Sequence, residues 1–226
     1  MEKQRRRAVY DDEKEERRRH ILAVSWELFQ TTSYEAVTMA GVAVAAGVAK
    51  GTVFLYFKTK EALFLALLEQ QLESWFADVD AGLATMDEEN SIPRVTALLG
   101  EQLEARPGLT RLLAILHTLL ERNISVEEAL HFKYMLKEHF ERTGALLERC
   151  LPFLSPGEGA HVLLQCDAMV IGFWHLADAA PVVQQVLQQS DLRMFEFRFV
   201  SELAPAMQAL LYGLEKVAQA RAQQSE

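Results

Sequence analysis

The sequence is short of the residues that interrupt helices. Six prolines and 11 glycines are spread over 226 residues, and no stretch reads as a long Pro/Gly/Ser linker. It also lacks the alternation of β-branched and polar residues that marks a half-buried strand. Two cysteines, Cys150 and Cys166, are too few for a disulfide framework, and their spacing fits no zinc motif. They are expected to pack as small apolar residues, which suits a reducing cytoplasm. No apolar run reaches the roughly 18 residues of a membrane span. The basic start, Met1 to Arg7, has no apolar stretch behind it and so is not a secretory signal. No membrane partner is therefore expected. Catalytic patterns are missing too. His131 and His139 stand eight apart without a third ligand, and neither a phosphate-binding glycine loop nor a nucleophile elbow occurs. These absences speak against an enzyme and predict neither metal nor cofactor.

What is present is a chain rich in Leu, Ala, Glu and Gln, all good helix formers. Half the residues are hydrophobic, enough for a sizeable core. The expected fold is all-α. The net charge of −9 is unevenly spread. Residues 1–60 hold 11 Lys/Arg against 8 Asp/Glu, a net of +3, while residues 61–226 hold 12 against 24, a net of −12. A basic end on an acidic body directs one end toward phosphates and keeps the rest away.

Residues 1–10 read as a mobile basic arm, and a first helix is expected from about Asp11 to Thr31, with Ile21, Leu22, Ser25, Leu28 and Phe29 on its inner stripe. Thr38 is placed to cap a short second helix that ends at Gly47, the residue best suited to the left-handed turn after a helix. Val37 and Val42 flank that cap as a hydrophobic staple. A third short helix follows over about Ala49 to Phe57, and Thr59 can cap a long fourth one from Lys60 to about Thr85. Two short helices joined by a tight turn, with small apolar residues between them, make a helix-turn-helix over about residues 38–57. Its outer face would carry Lys50, Gly51, Thr52, Leu55 and Tyr56 toward base edges in the major groove. Later helices are expected over about residues 94–106, 109–122, 125–151, 159–178 and 191–222, with residues 179–190 as a looser connection.

Ala46-Gly47-Val48, Lys50-Gly51-Thr52, Tyr56-Phe57, Lys60-Glu61 and Leu63 resemble the DNA-binding signature of TetR/AcrR-type transcription regulators. The likeness covers roughly residues 17–65. It implies an N-terminal three-helix DNA-binding domain over residues 1–64 and a larger helical ligand-binding and dimerisation domain over 65–226. It further implies that Thr38 and Lys60 hold phosphates and that Lys50, Gly51 and Thr52 lie nearest the bases. Phe54 and Tyr56 would contact bases or backbone. Implied partners are double-stranded DNA with a palindromic operator, a second copy docked through the last two helices, and a small, largely apolar effector. Three positions depart from the family pattern: Ala49 lacks a capping hydroxyl, Gly41 interrupts the second helix, and Phe54 stands where a tyrosine is usual.

A ligand pocket needs apolar walls and a few polar groups. His117, Tyr134, Asp167, Phe173, Trp174 and His175 are the candidates, with Arg5–Arg7 as possible extra DNA contacts. A cavity among them would favour a ligand-released repressor. A filled core would favour a DNA-bound structural or protein-recruiting factor.

Overall fold

The computed structural model describes residues 2–86 and 91–224, and for residues 2–11 and Val200 the backbone alone. Its regular elements are helices, and no strand occurs among the described residues. Helix α1 spans Glu2–Thr31. It starts nine residues before the expected Asp11, so helix replaces the expected mobile arm. Nothing in the segment opposes this, since neither Pro nor Gly occurs between Glu2 and Thr31. The side chains of Arg5–Arg7, expected as extra DNA contacts, lie outside the described residues. Helices α2 (Met39–Ala45), α3 (Lys50–Tyr56) and α4 (Lys60–Ala84) fall where the caps place them. Helices α5 (Ser91–Glu104) and α6 (Pro107–Leu116) follow. Pro93 sits in the first turn of α5 and Pro107 opens α6, positions where the missing N–H costs nothing.

The helix expected over residues 109–122 ends at Leu116. A 3₁₀ turn, Leu120–Arg122, finishes the segment. Burial of Leu120 continues the leucine pattern into that turn, which is why the two look like one helix. Helix α7 (Val126–Cys150) opens with a capping box. Ser125 Oγ accepts the Glu128 N–H at 3.1 Å, and the Glu128 carboxylate accepts the Ser125 N–H at 2.7 Å. Helix α8 spans Glu158–Ala177. The connection expected at 179–190 contains a further helix, α9 (Pro181–Leu187), because Pro181 occupies a starting position. A 3₁₀ turn (Arg193–Phe195) precedes α10 (Phe199–Gln223), which holds Pro205 inside it.

The chain divides into two compact units. The first takes Met1–Gln70 together with Leu116–Ala129. Its core gathers Ile21, Leu22 and Phe29 of α1, Val42 of α2, Val53 of α3 and the Phe57 that follows it, and Leu63, Phe64 and Leu67 of α4, all buried. Phe29 and Tyr34 both meet Phe64 edge-on, at 5.2 and 4.7 Å between ring centres.

The second unit takes Gln71–Ile115 and Leu130–Glu226. Helix α10 packs on α5 and α8. Helices α7 and α8 approach so closely that a Cβ on Gly144 would stand 2.5 Å from the Ala160 nitrogen. Both cysteines are buried and unpaired with one another. Burial pushes the Cys166 thiol up to about 12, which keeps it protonated and inert. Helix α8 corrects the expectation about apolar runs: by length and composition it is long and apolar enough to cross a membrane. It nevertheless carries His161, Gln165 and Asp167 and packs on α7 and α10.

Candidate nucleic-acid interface

Thr38 is extended, and its Oγ1 accepts the Gly41 N–H at 3.0 Å, so it caps α2. At the other end Gly47 takes φ 64°, the left-handed conformation that favours glycine. The Val48 N–H then donates back to Ala43 O at 3.0 Å and closes the turn. Helices α2 and α3 meet at 108°, within the range of helix-turn-helix units.

Burial fixes which side of α3 is free. Val53 and the following Phe57 are buried, and Arg18 of α1 lies over the Phe57 ring at 5.5 Å. Lys50, Gly51 and Leu55 are exposed, Leu55 at 73%. Thr52, Phe54 and Tyr56 are half-buried. The Lys50 ammonium lies 5.8 Å from the centre of the Phe54 ring. Ala49 has the extended backbone of a cap residue but offers no side-chain bond.

Lys60 is more tightly held than a free phosphate-gripping lysine. Its Nζ donates to Tyr34 O and sits 3.9 Å from the centre of the Tyr34 ring. Burial lowers its affinity for the proton, opposed by Glu35 and Glu61. One of three ammonium donors is thereby used, which leaves two. Around it, Glu61 accepts from Tyr34 OH at 3.1 Å and from Asn123 Nδ2 at 3.1 Å. Thr59 caps α4 through the Ala62 N–H and donates to Asn123 O, both at 3.0 Å. Burial and Glu61 push the Tyr34 phenol far up, so it stays a donor.

Sequence reasoning missed the wall that α1 adds. Glu13, Glu16, Arg17 and His20 face Gly47, Val48, Ala49 and Thr52 across an open groove of about 840 Å³. His20 Nε2 lies 3.3 Å from Ala46 O, which fixes the ring against the turn. The run Arg17-Arg18-Arg19-His20, seventeen residues into the chain, was its one sequence signal.

The six candidate ligand residues do not form one described site. His117 belongs to the first unit and is exposed, paired with Glu121 at 2.8 Å. Tyr134 is 63% exposed, because α7 turns Phe132 inward and a residue two further on lies on the opposite side. Asp167 is half-buried on α8. Phe173 and Trp174 pack on Phe197 and Phe199, at 4.9 and 5.7 Å between ring centres. His175 Nε2 lies 3.1 Å from Ala114 O. Trp75 Nε1, a donor, and Gln165 Oε1, an acceptor, are buried without a hydrogen-bond partner in the second unit, a costly state in a finished core. No group of three His, Cys, Asp or Glu among the described residues is placed to hold a metal.

Comparison with known proteins agrees with this geometry. The family model described as bacterial regulatory proteins, tetR family, matches residues 21–67, and that of the tetracyclin repressor-like C-terminal domain matches residues 69–218. The HTH-type transcriptional regulator RutR of Escherichia coli K12 is 32% identical over 65 residues, 29% of this chain and 31% of RutR. The chain thus matches less than a third of that relative's length. Solved structures with a similar fold include a TetR-family regulator from Mesorhizobium loti, 17% identical, with TM-score 0.55, covering 90% of this chain and 97% of that one. They also include FadR from Bacillus subtilis in complex with stearoyl-CoA, 20% identical, with TM-score 0.53, covering 85% of this chain and 96% of that one. With a capped helix-turn-helix followed by a matching helical second region, this chain belongs to the TetR family of DNA-binding transcription regulators.

Proposed function

We propose that the protein is a cytoplasmic homodimeric repressor that leaves a palindromic operator when a small, largely apolar effector binds its second unit. The observation that carries the DNA-reading part is α3: Val53 is buried in the first unit while Lys50 and Leu55 are exposed and Thr52 and Tyr56 half-buried on the other side. Thr38 would donate its hydroxyl proton to a phosphate, and Lys60 its two remaining donors. Gly51, which has no side chain and open space around it, would let the backbone approach the bases.

The dimer reading rests on α8. Gly159, Val162, Leu163, Cys166 and Val170 are buried, while His161, Leu164, Ala168, Gly172 and His175 form an exposed stripe on the opposite side. That stripe carries no Asp, Glu, Lys or Arg on a body of net −12, so a second acidic copy meets no like charge there. A dimer would set two copies of α3 about 35 Å apart or somewhat more, one turn of DNA. The effector reading is supported by the orphan donor of Trp75 and the orphan acceptor of Gln165, both buried in the second unit. An acyl chain with a polar head is a suitable class, as in the stearoyl-CoA held by the Bacillus subtilis FadR. Differential binding to two dimer conformations would couple the sites, and DNA would weaken effector binding by the same factor.

Two variants test the DNA part on a fragment selected from genomic DNA. Lys60→Ala should weaken binding to all sequences and make log K about one unit less steep in log salt. Lys50→Ala should change which sequences are preferred. Unchanged binding by both variants would refute the assignment of α3 and α4.

A further inference from the structure

Lys50 opens α3, and Phe54 stands one turn later. Side chains on a helix lean toward its N-terminus, so the ring at position i+4 comes to lie beside the stem of residue i. The ammonium of Lys50 is 5.8 Å from the ring centre of Phe54, inside the ~6 Å reach of a cation–π contact. Lys50 is exposed, whereas Phe54 is half-buried and so offers a fixed platform. The Phe54 ring is the group over which this charge lies.

We propose that Phe54 is a positioning residue for Lys50, and that the pair reads a guanine in the operator. The inference rests on α3 being the groove-reading helix and adds which base it reads and how the reader is aimed. A lysine ammonium has three donors and no acceptor. In the major groove guanine alone presents two adjacent acceptors, N7 and O6. Adenine and cytosine present an amino donor, and thymine has one acceptor beside a methyl group. A free lysine on its flexible stem would as readily pair with a phosphate and lose that choice. Held over the Phe54 ring, the ammonium has fewer conformers to give up when it meets the base. The phenyl ring needs no hydroxyl for this task, so the departure from tyrosine at this position leaves the device whole.

The test uses the full-length protein and a fragment selected from genomic DNA, with each base of the site substituted in turn at constant salt. Affinities are measured for the wild type, Lys50→Ala, Phe54→Leu, Phe54→Tyr and the Lys50→Ala/Phe54→Leu double variant, each checked by thermal unfolding. The wild type should penalise replacement of one guanine per half-site, and Lys50→Ala should abolish that penalty. Phe54→Leu should cut it about two- to fivefold, the range of an exposed cation–π contact, with the salt slope unchanged. Phe54→Tyr, which keeps the ring, should retain it. In the Lys50→Ala background the leucine should change nothing further. Additive effects in the double variant would mean that Phe54 acts on DNA by itself and would overturn the positioning role. If Lys50→Ala alters discrimination but Phe54→Leu does not, the pairing fails and the reading of α3 stands. If Lys50→Ala leaves every base preference intact, the guanine assignment falls as well.

Discussion

In the proposed repressor one Thr38 hydroxyl would serve two purposes. Its oxygen accepts the Gly41 N–H, and its proton would be left to donate to a phosphate. Gly41, which looks like a flaw inside α2, has a local reason: a Cβ there would come to 3.2 Å from Thr38 Oγ1, tight against the capping atom. Replacing Gly41 by alanine therefore recovers less than the ~1 kcal/mol that helix propensity alone would give. Thr38→Ala should lower the stability of the first unit by about 1 kcal/mol, seen as a lower urea midpoint, and should also weaken DNA binding. Thr38→Ser keeps both functions and should change neither. Loss of DNA binding without loss of stability would mean that the cap seen here does not contribute to the fold.

The short helices were the most legible elements and the connections the least. Thr38, Gly47 and Thr59 are start and stop signals with one physical meaning each, and α2, α3 and α4 follow them within a residue or two. Helix α9 and the split after Leu116 were misread because Pro181 and the leucine pattern each have two meanings. Proline stops one helix and starts the next, and a 3₁₀ turn can bury a leucine as a helix does. The outward side of α3 could be named because a seven-residue helix with Val53 buried has only one free side. The ligand residues could not, because side-chain burial on long helices depends on which neighbours they meet, as Tyr134 shows. Those neighbours also predict a pH response. The His139 ring stacks on Phe76 of α4, 4.6 Å between centres and 9° from parallel, and its Nδ1 accepts from Arg142 at 2.8 Å. Burial first, and Arg142 second, push its pKa below the ordinary value, against Glu73, Asp80 and Glu138. The unfolded chain therefore binds more protons than the folded one once pH drops below the ordinary histidine value of about 6.5. Stability should fall as pH drops through that value toward the lowered folded one. His139→Phe should flatten the dependence in denaturant titrations from pH 7.5 to 5. An unchanged slope would place the pH response elsewhere.

At the scale of the molecule, charge and exposure divide the work. In the proposed dimer the acidic body would keep DNA contact to the first unit, and the α8 stripe, which carries no Asp, Glu, Lys or Arg, would be a surface where two such bodies meet. Leu164, 53% exposed on that stripe, should be covered in the dimer. Leu164→Asp should leave the helical content unchanged, shift the sedimenting species toward monomer and weaken operator binding with it. A dimer as tight as the wild type would move the interface off α8. The central claim is that two copies of α3 read two successive major grooves. Selection of bound fragments from genomic DNA, followed by footprinting, tests it most directly. Enriched fragments should share a two-fold symmetric motif with half-sites about one helical turn apart or somewhat more, and the Lys50→Ala/Thr52→Ala variant should enrich none. Enriched fragments without symmetry, or the same motif recovered by that double variant, would contradict it.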